Sequence, residues 1–410
     1  MSTAGGPSRD AGGRPARTHV LRRVAALVAA PPRVGPLREG AFPSRLHDER
    51  PAAWLGISLG VTFAVCFATG LLSDLIQHPQ AWFAWTPRPA WLYRVSQGTH
   101  VLTGLAAVPL LLVKLWVVYP RLWQWPPLRG VVHLTERLTI APLVAGALFL
   151  LATGVMNIGY WYAWGFGFVE GHYWAAWITI GALVVHVGAK AGVVGRVLRG
   201  RARDARDGAQ GNGLSRRGLV AGAWLASGLV VLTVAGETVP FLRRLAVLAP
   251  RDMRAGPQGF PVNKTAAGAD VAETAVDPGW RLRVEGAVDQ VLTFTIDDLR
   301  ARSLTEATLT IACVEGWSST QRWRGVPVLE LVAEAGGAPD ASVRVESLQT
   351  FGPYRATTLN PAFATDPDTL LALDVDGEPL HLDHGFPVRL IAPNNPGVLQ
   401  TKWVEKVVVL

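Results

Sequence analysis

Cysteine is nearly absent from this 410-residue chain, with Cys66 and Cys313 its only two. That excludes a disulfide scaffold and a multi-cysteine zinc or iron–sulfur centre. Charge is also scarce: Asp, Glu, Lys and Arg make up 17% of the residues, against about 25% in ordinary soluble domains. With 50% hydrophobic residues and a mean hydropathy of +0.25, the chain is neither wholly disordered nor wholly soluble in character. Acidic residues trail basic ones, 31 to 39, giving a net charge of +8 and a pI near 9.9. Such a balance can suit nucleic acid, but here the basic residues cluster between apolar stretches rather than on an aromatic-studded surface. Nucleic acid is therefore not an expected partner.

Five apolar runs are about long enough to cross a bilayer, at residues 54–76, 101–119, 138–158, 173–194 and 218–235. Many of the 16 tryptophans sit at their ends, where indole rings prefer the lipid interface. Arginines fill the segment before the first run, the loop after the second and the loop after the fourth; the alternate loops are poor in cations. The positive-inside rule then places the N-terminus in the cytoplasm and everything after residue 240 outside. The expected protein is a multi-pass component of the cell membrane in contact with lipid. Residues 1–45, rich in Arg, Gly, Pro and Ala, read as a disordered basic cytoplasmic tail.

Ionisable groups near or inside membrane spans are costly unless ligated or paired. His100 and His172 stand at the outer side, and His186 lies deeper toward the cytoplasm. Fourteen residues separate His172 from His186, which places both on nearly one helical face about 21 Å apart. Two such imidazoles can each hold a haem, one near each membrane surface. His100 matches His172 in depth, and His47 matches His186, with His133 as the rival for the inner position. The arrangement resembles the four-helix di-haem cytochrome b subunits of membrane-bound formate dehydrogenases and Ni–Fe hydrogenases. That resemblance covers about residues 46–200 and implies two haems b, with iron ligated by His47, His100, His172 and His186.

Residues 201–243 comprise a basic loop and the fifth span. Ser215-Arg216-Arg217 stands just before that span and resembles a twin-arginine signal, which exports domains already folded. The fifth helix is expected to remain as an anchor.

Residues 244–410 change character to short β-branched runs separated by turns, with no heptads, internal repeat, GxGxxG or P-loop. Strands are expected at 280–284, 291–296, 308–312, 343–347, 387–391 and 404–410, and short helices at 296–299 and 328–335. A strand-end cysteine is a soft ligand for a transition metal. A cluster of His, Arg and Lys suits a phosphate-bearing group. The run Cys313-Val314-Glu315-Gly316-Trp317-Ser318 resembles the catalytic subunits of periplasmic methionine sulfoxide reductases. His384-Gly385-Phe386-Pro387-Val388-Arg389 and Lys402-Trp403 resemble the wider sulfite oxidase family.

This resemblance implies a molybdopterin cofactor with Cys313 as the molybdenum ligand and catalytic centre. Asn263, Trp317, Ser318, His384, Arg389, Gln400, Thr401 and Lys402 would contact the cofactor. Where the family often carries Asp-Gly-Tyr, this chain reads Ser347 to Arg355 without an acid. Arg322, Arg324 and Arg355 are the candidate anion-binding arginines.

The expected fold is thus multi-domain. An all-α transmembrane bundle of four di-haem helices plus an anchor helix precedes an α+β, mainly β molybdopterin domain. The expected function is extracytoplasmic oxygen-atom transfer, with electrons passing through the haems to or from the quinone pool or another redox partner. A small-molecule or sulfoxide-type substrate comes first. A sulfite-type oxidase, or a haem-free anchor presenting a pterin-binding domain, is the alternative.

Overall fold

The computed structural model describes residues 34–38, 40–123, 131–200 and 214–410. The readings made for residues 1–33, for Arg129 and for residues 201–213 of the basic loop lie outside the described residues, as does the His133 side chain.

Five long apolar helices form the N-terminal half: α1 Glu49–Gln77, α2 Leu92–Val118, α3 Val131–Ile158, α4 Phe168–Leu198 and α5 Arg216–Val234. All five are long and apolar enough to cross a membrane. Asp48 caps α1 through the Arg50 amide, and Ser215 caps α5 through the Gly218 amide. α1 packs on α2 and α3 on α4, and α4 closes against α1. The fifth helix is more than a tether. It lies in the groove of α1 and α2, where Val220 and Ala223 join the core of Leu55, Leu59, Leu110 and Leu111. Ser227 donates to the Ala106 carbonyl at 2.8 Å, and Trp224 Nε1 donates to Ser58 Oγ at 2.9 Å. Lys114 turns into the helix interface and donates to the Ala52 carbonyl instead of reaching for water.

Two five-stranded sheets make the C-terminal half. The first has the order β2-β1-β10-β5-β6, built from Leu292–Phe294, Leu282–Gly286, Val404–Val409, Val343–Ser347 and Ala356–Leu359. Its β1 and β10 run parallel, and the other pairs are antiparallel. The second sheet runs β3-β4-β7-β8, with β9 also on β7: Thr305–Ala312, Ser318–Pro327, Leu370–Val375, Glu378–Pro379 and Arg389–Ile391. Short helices α6 Ile296–Arg300, α7 Val328–Glu334 and α8 Pro361–Ala364 cover edges and corners. α6 carries a reciprocal cap between Thr295 and Asp298.

The six expected strands and two short helices are present, with ends shifted by a few residues. Strands β4, β6, β7 and β8 were not anticipated. β4 carries Arg322 and Arg324 on an exposed face while Trp323 between them is fully buried. β7 is buried along both faces and shows no alternation.

The two halves meet through specific polar contacts. Arg88, between α1 and α2, forks onto Asp366 with two bonds of 3.0 Å and also reaches Asp368 at 2.5 Å. Asn394 accepts from the Tyr93 amide at 2.7 Å and donates to the Thr86 carbonyl at 2.8 Å. Trp85 Nε1 donates to the Asn394 carbonyl at 2.9 Å.

Candidate functional site

Cys313 ends β3 and opens a tight turn whose Cys313 amide donates to the Trp317 carbonyl at 2.8 Å. The turn needs Gly316, at φ +101°, where a side chain is strained. Cys313 is 3% exposed, and Asn263 Nδ2 donates to its sulfur at 3.0 Å. The same amide donates to Glu315 Oε1 at 3.1 Å, and Trp317 Nε1 donates to Glu315 Oε2 at 3.1 Å. Arg251 completes the cluster, donating to Asn263 Oδ1 at 2.9 Å with Glu315 at 3.7 Å. Burial pushes the Cys313 thiol up to about 12, with the Glu315 carboxylate adding to the effect. A thiol in such a place stays protonated unless a cation takes the proton's position, which is the chemistry of a metal thiolate.

A cavity of about 170 Å³ opens beside Cys313. It is lined by Asn263, Trp317, Arg389, Gln400, Thr401 and Lys402, so seven of the nine expected residues, counting Cys313, meet there. His384 and Ser318 do not line it. His384 stacks on Phe260 with ring centres 3.6 Å apart, Nε2 donates to the Pro257 carbonyl at 2.7 Å, and its own carbonyl accepts from Arg389 at 3.1 Å. It props the arginine from behind. Gly385, at φ +111°, permits this, because a side chain there would stand 3.1 Å from Lys402 Cβ. Ser318 instead donates to the Thr238 carbonyl at 3.3 Å, tying β4 to the end of the fifth helix.

Lys264, Gln349 and Tyr354 also line the cavity and were not anticipated as site residues. The only signal for the last two was that segment 347–355 departs from the family pattern. Gln349 accepts from Lys264 at 2.5 Å, so a neutral amide stands in the stretch where an acid was missing.

The residues fit a phosphate-bearing cofactor by what they leave unmet. Arg389 Nε and Gln400 Oε1, on two of the lining residues, are buried without a hydrogen-bond partner in the structure. Native folds rarely tolerate two such atoms in one place. Burial lowers Arg389 to about 9, and burial followed by the nearby Arg389 charge lowers Lys402 well below its ordinary value. An anion between these two cations would relieve both.

A second, larger cavity of about 420 Å³ lies among α1 to α4. His100 and His172 face across it with ring centres 6.3 Å apart. Both rings are anchored through Nδ1. His100 Nδ1 donates to the Cys66 carbonyl at 2.8 Å. His172 Nδ1 lies 2.9 Å from Thr153 Oγ1, which also reaches the Phe149 carbonyl at 2.8 Å. Nε2 of His100 is left as the acceptor. Gly70 leaves the room, since a Cβ there would stand 2.7 Å from His100 Cε1. On the inner side, His47 Nδ1 donates to the Val117 carbonyl at 3.2 Å, and among the described residues its ring contacts are with Phe42 and Trp116.

The two cavities share a wall. Asn263, Tyr354 and Val398 line both, and Val314 and Glu315 of the Cys313 turn line the helix cavity.

Residues 269–410 match the sequence profile of a family described as "Oxidoreductase molybdopterin binding domain". Residues 269–410 therefore carry a molybdopterin oxidoreductase domain, similar in sequence to that of sulfite oxidases. Among curated relatives, a putative protein-methionine-sulfoxide reductase subunit YedZ1 from Azospira oryzae is 31% identical over 162 residues, covering 40% of this chain and 60% of that protein. Mitochondrial sulfite oxidase of Rattus norvegicus is 33% identical over 160 residues, covering 32% of this chain and 29% of that protein. Among solved structures, the sulfane dehydrogenase SoxCD from Paracoccus pantotrophus matches with 25% identity and a TM-score of 0.30, covering 33% of this chain and 40% of that one.

Proposed function

We propose that the protein is a membrane-bound molybdopterin reductase of sulfoxide-type substrates that draws electrons from the quinone pool through b-type haems in its own helices. The observation that carries this reading is the shared wall, which sets the Cys313 turn against the cavity holding His100 and His172. When bound, the molybdenum cofactor supplies two-electron oxygen-atom chemistry and the haems supply one-electron carriage.

The chain's own residues do the rest. Cys313 is the thiolate ligand, and Asn263 orients its sulfur. Arg389 and Lys402 hold the phosphate, Gln400 and Thr401 the pterin, and His384 braces Arg389. His100 and His172 would ligate the outer haem. His186, with His47 or His133, would ligate the inner one. Reduction breaks the S–O bond, consumes two electrons and two protons, and releases sulfide and water.

The charge around Cys313 supports a neutral substrate over an anionic one. None of the candidate arginines lines either cavity. Arg322 lies 3.7 Å from Glu306, Arg324 lies 3.9 Å from Asp374, and Arg355 is exposed. The Glu315 carboxylate, joined to the Cys313 sulfur through Asn263, disfavours an anion such as sulfite or nitrate at that point. In the cell membrane the N-terminus would be cytoplasmic and the β domain extracytoplasmic, exported in folded form under the Arg216-Arg217 pair. The test is metal and haem analysis of the purified full-length protein, followed by addition of sulfoxide to dithionite-reduced protein. Reoxidation of the b-type spectrum by sulfoxide is expected; a haem spectrum indifferent to sulfoxide, with molybdenum present, overturns the reading.

A further inference from the structure

The membrane half does more than stand beneath the Cys313 turn; it closes over it. Gln97 on α2 donates to the Val314 carbonyl at 2.6 Å, and Thr238, just past α5, donates to the Gly316 carbonyl at 2.5 Å. From the α3–α4 loop, Tyr160 donates to the Asn263 carbonyl at 2.5 Å and lies under the Arg251 guanidinium at 4.6 Å. Gln77, at the end of α1, accepts from the Tyr354 hydroxyl at 3.2 Å. Four separate membrane elements thus grip the ring of groups around Cys313.

Tyr160 holds its place at a cost, with φ at +53°. A bulky residue in that region is an outlier, and such outliers gather where a site needs them. A fold that only required electrical contact between its halves would have no need of a strained tyrosine above the metal ligand.

We propose that this roof, with Tyr160 and the Gln77–Tyr354 bridge as its clasps, restricts the enzyme to small free S-oxides and excludes sulfoxides carried on the surface of folded proteins. The inference rests on the reductase reading above, and it concerns access alone. A methionine sulfoxide on a folded protein reaches only one side chain's length beyond its own backbone. To approach Cys313 from the membrane side it would have to displace a membrane helix end or the α3–α4 loop. Tyr160 and Gln77 act here as positioning residues.

The test uses the full-length, cofactor-loaded protein in nanodiscs with reduced viologen as donor. The kcat/KM is measured for dimethyl sulfoxide, for free methionine sulfoxide and for a folded protein bearing surface methionine sulfoxide. The folded protein should be at least 100-fold poorer than free methionine sulfoxide. Tyr160→Ala and Gln77→Ala should each narrow that ratio by about tenfold. Equal kcat/KM for folded and free substrates in the unaltered protein overturns the roof.

A second readout does not depend on turnover. In cofactor-free full-length protein carrying Cys66→Ala, Cys313 should react with a small methanethiosulfonate but at least tenfold more slowly with a fluorescein maleimide, after each rate is normalised to a free thiol. Tyr160→Ala should abolish that difference, and equal normalised rates without it would also overturn the roof. If no sulfoxide of any size is reduced, the reductase reading fails, and the thiol rates still decide whether the roof exists.

Discussion

Replacing Gly316 by alanine should loosen the Cys313 turn from α2, and the structure says by how much. At φ +101° an alanine is strained by about 1–3 kcal/mol. Its Cβ would also stand 2.9 Å from Val101 Cγ2. Val101 is buried and, being β-branched, has little freedom to turn away. Overpacking of that kind costs a further ~1–3 kcal/mol. The two terms separate in a double-mutant cycle, because Val101→Ala removes the clash and leaves the backbone strain. The expected result is a fall in the melting temperature of the β domain for Gly316→Ala and recovery of about half of it in the double variant. At roughly 2–4 °C per kcal/mol for a domain of this size, the recovered part is several degrees. Tryptophan fluorescence in nanodiscs reads the transition. Strict additivity, with no rescue by Val101→Ala, would mean that the turn does not rest on α2, and the proposed contact between the halves would fall with it.

Cys313→Ser should abolish oxygen-atom transfer in a domain that still folds, checked by circular dichroism and molybdenum content; full activity in Cys313→Ala with metal retained would remove its ligand role. His100→Ala and His172→Ala should each lower haem content by about one per chain, and comparison of His47→Ala with His133→Ala in pyridine haemochrome assays identifies the inner partner of His186. His384, lowered to about 3 by burial, is neutral in the fold while an unfolded histidine binds a proton near 6.5. Its depressed value therefore leaves the fold unpenalised above about pH 6.5 and costs up to about 1.4 kcal/mol per unit as pH falls from there toward 3, a slope that His384→Gln should remove from the denaturation profile. Arg216→Lys with Arg217→Lys preserves positive charge, so the four-helix region should still insert while residues 244–410 stay protected from protease in spheroplasts; normal export would make the arginines topogenic only.

Those spans were legible because a bilayer demands about 20 apolar residues and leaves few ways to supply them. What the fifth one does was not legible. Nothing in its sequence says that Val220 and Ala223 will seat between α1 and α2, since small and apolar residues suit lipid and helix alike. The outer histidines could be paired by depth, but their anchoring depends on Cys66 and Thr153 carrying the right backbone and hydroxyl groups one helix away. In the β domain the Cys313 turn and the Arg389–Lys402 region were visible as motifs. Gln349 and Tyr354 were not, because they join the cavity only through the pairing of β5 with β6 and the loop between them. Arg216 shows the opposite failure. Read as a signal, it also pairs with Asp48 at 3.0 Å in the finished fold, and the sequence carries no mark of that second use.

The covalent join relieves the polar part of the contact between the two halves of having to supply affinity. Arg88 with Asp366 and Asp368, Asn394 with Tyr93, and Gln97 with Val314 are bonds that two separate proteins could not rely on for tight association. Exposed ion pairs are worth about 0–1 kcal/mol each, and association of free partners costs several kcal/mol before any contact is gained. Residues 235–250 remove most of that cost by making docking intramolecular, at an effective concentration on the order of millimolar for a short link. The contacts are then free to fix orientation instead of affinity. That is the property the proposed relay would need, because the placing of Val314 and Glu315 against the helix cavity, and not the strength of the grip, would decide how the two halves communicate.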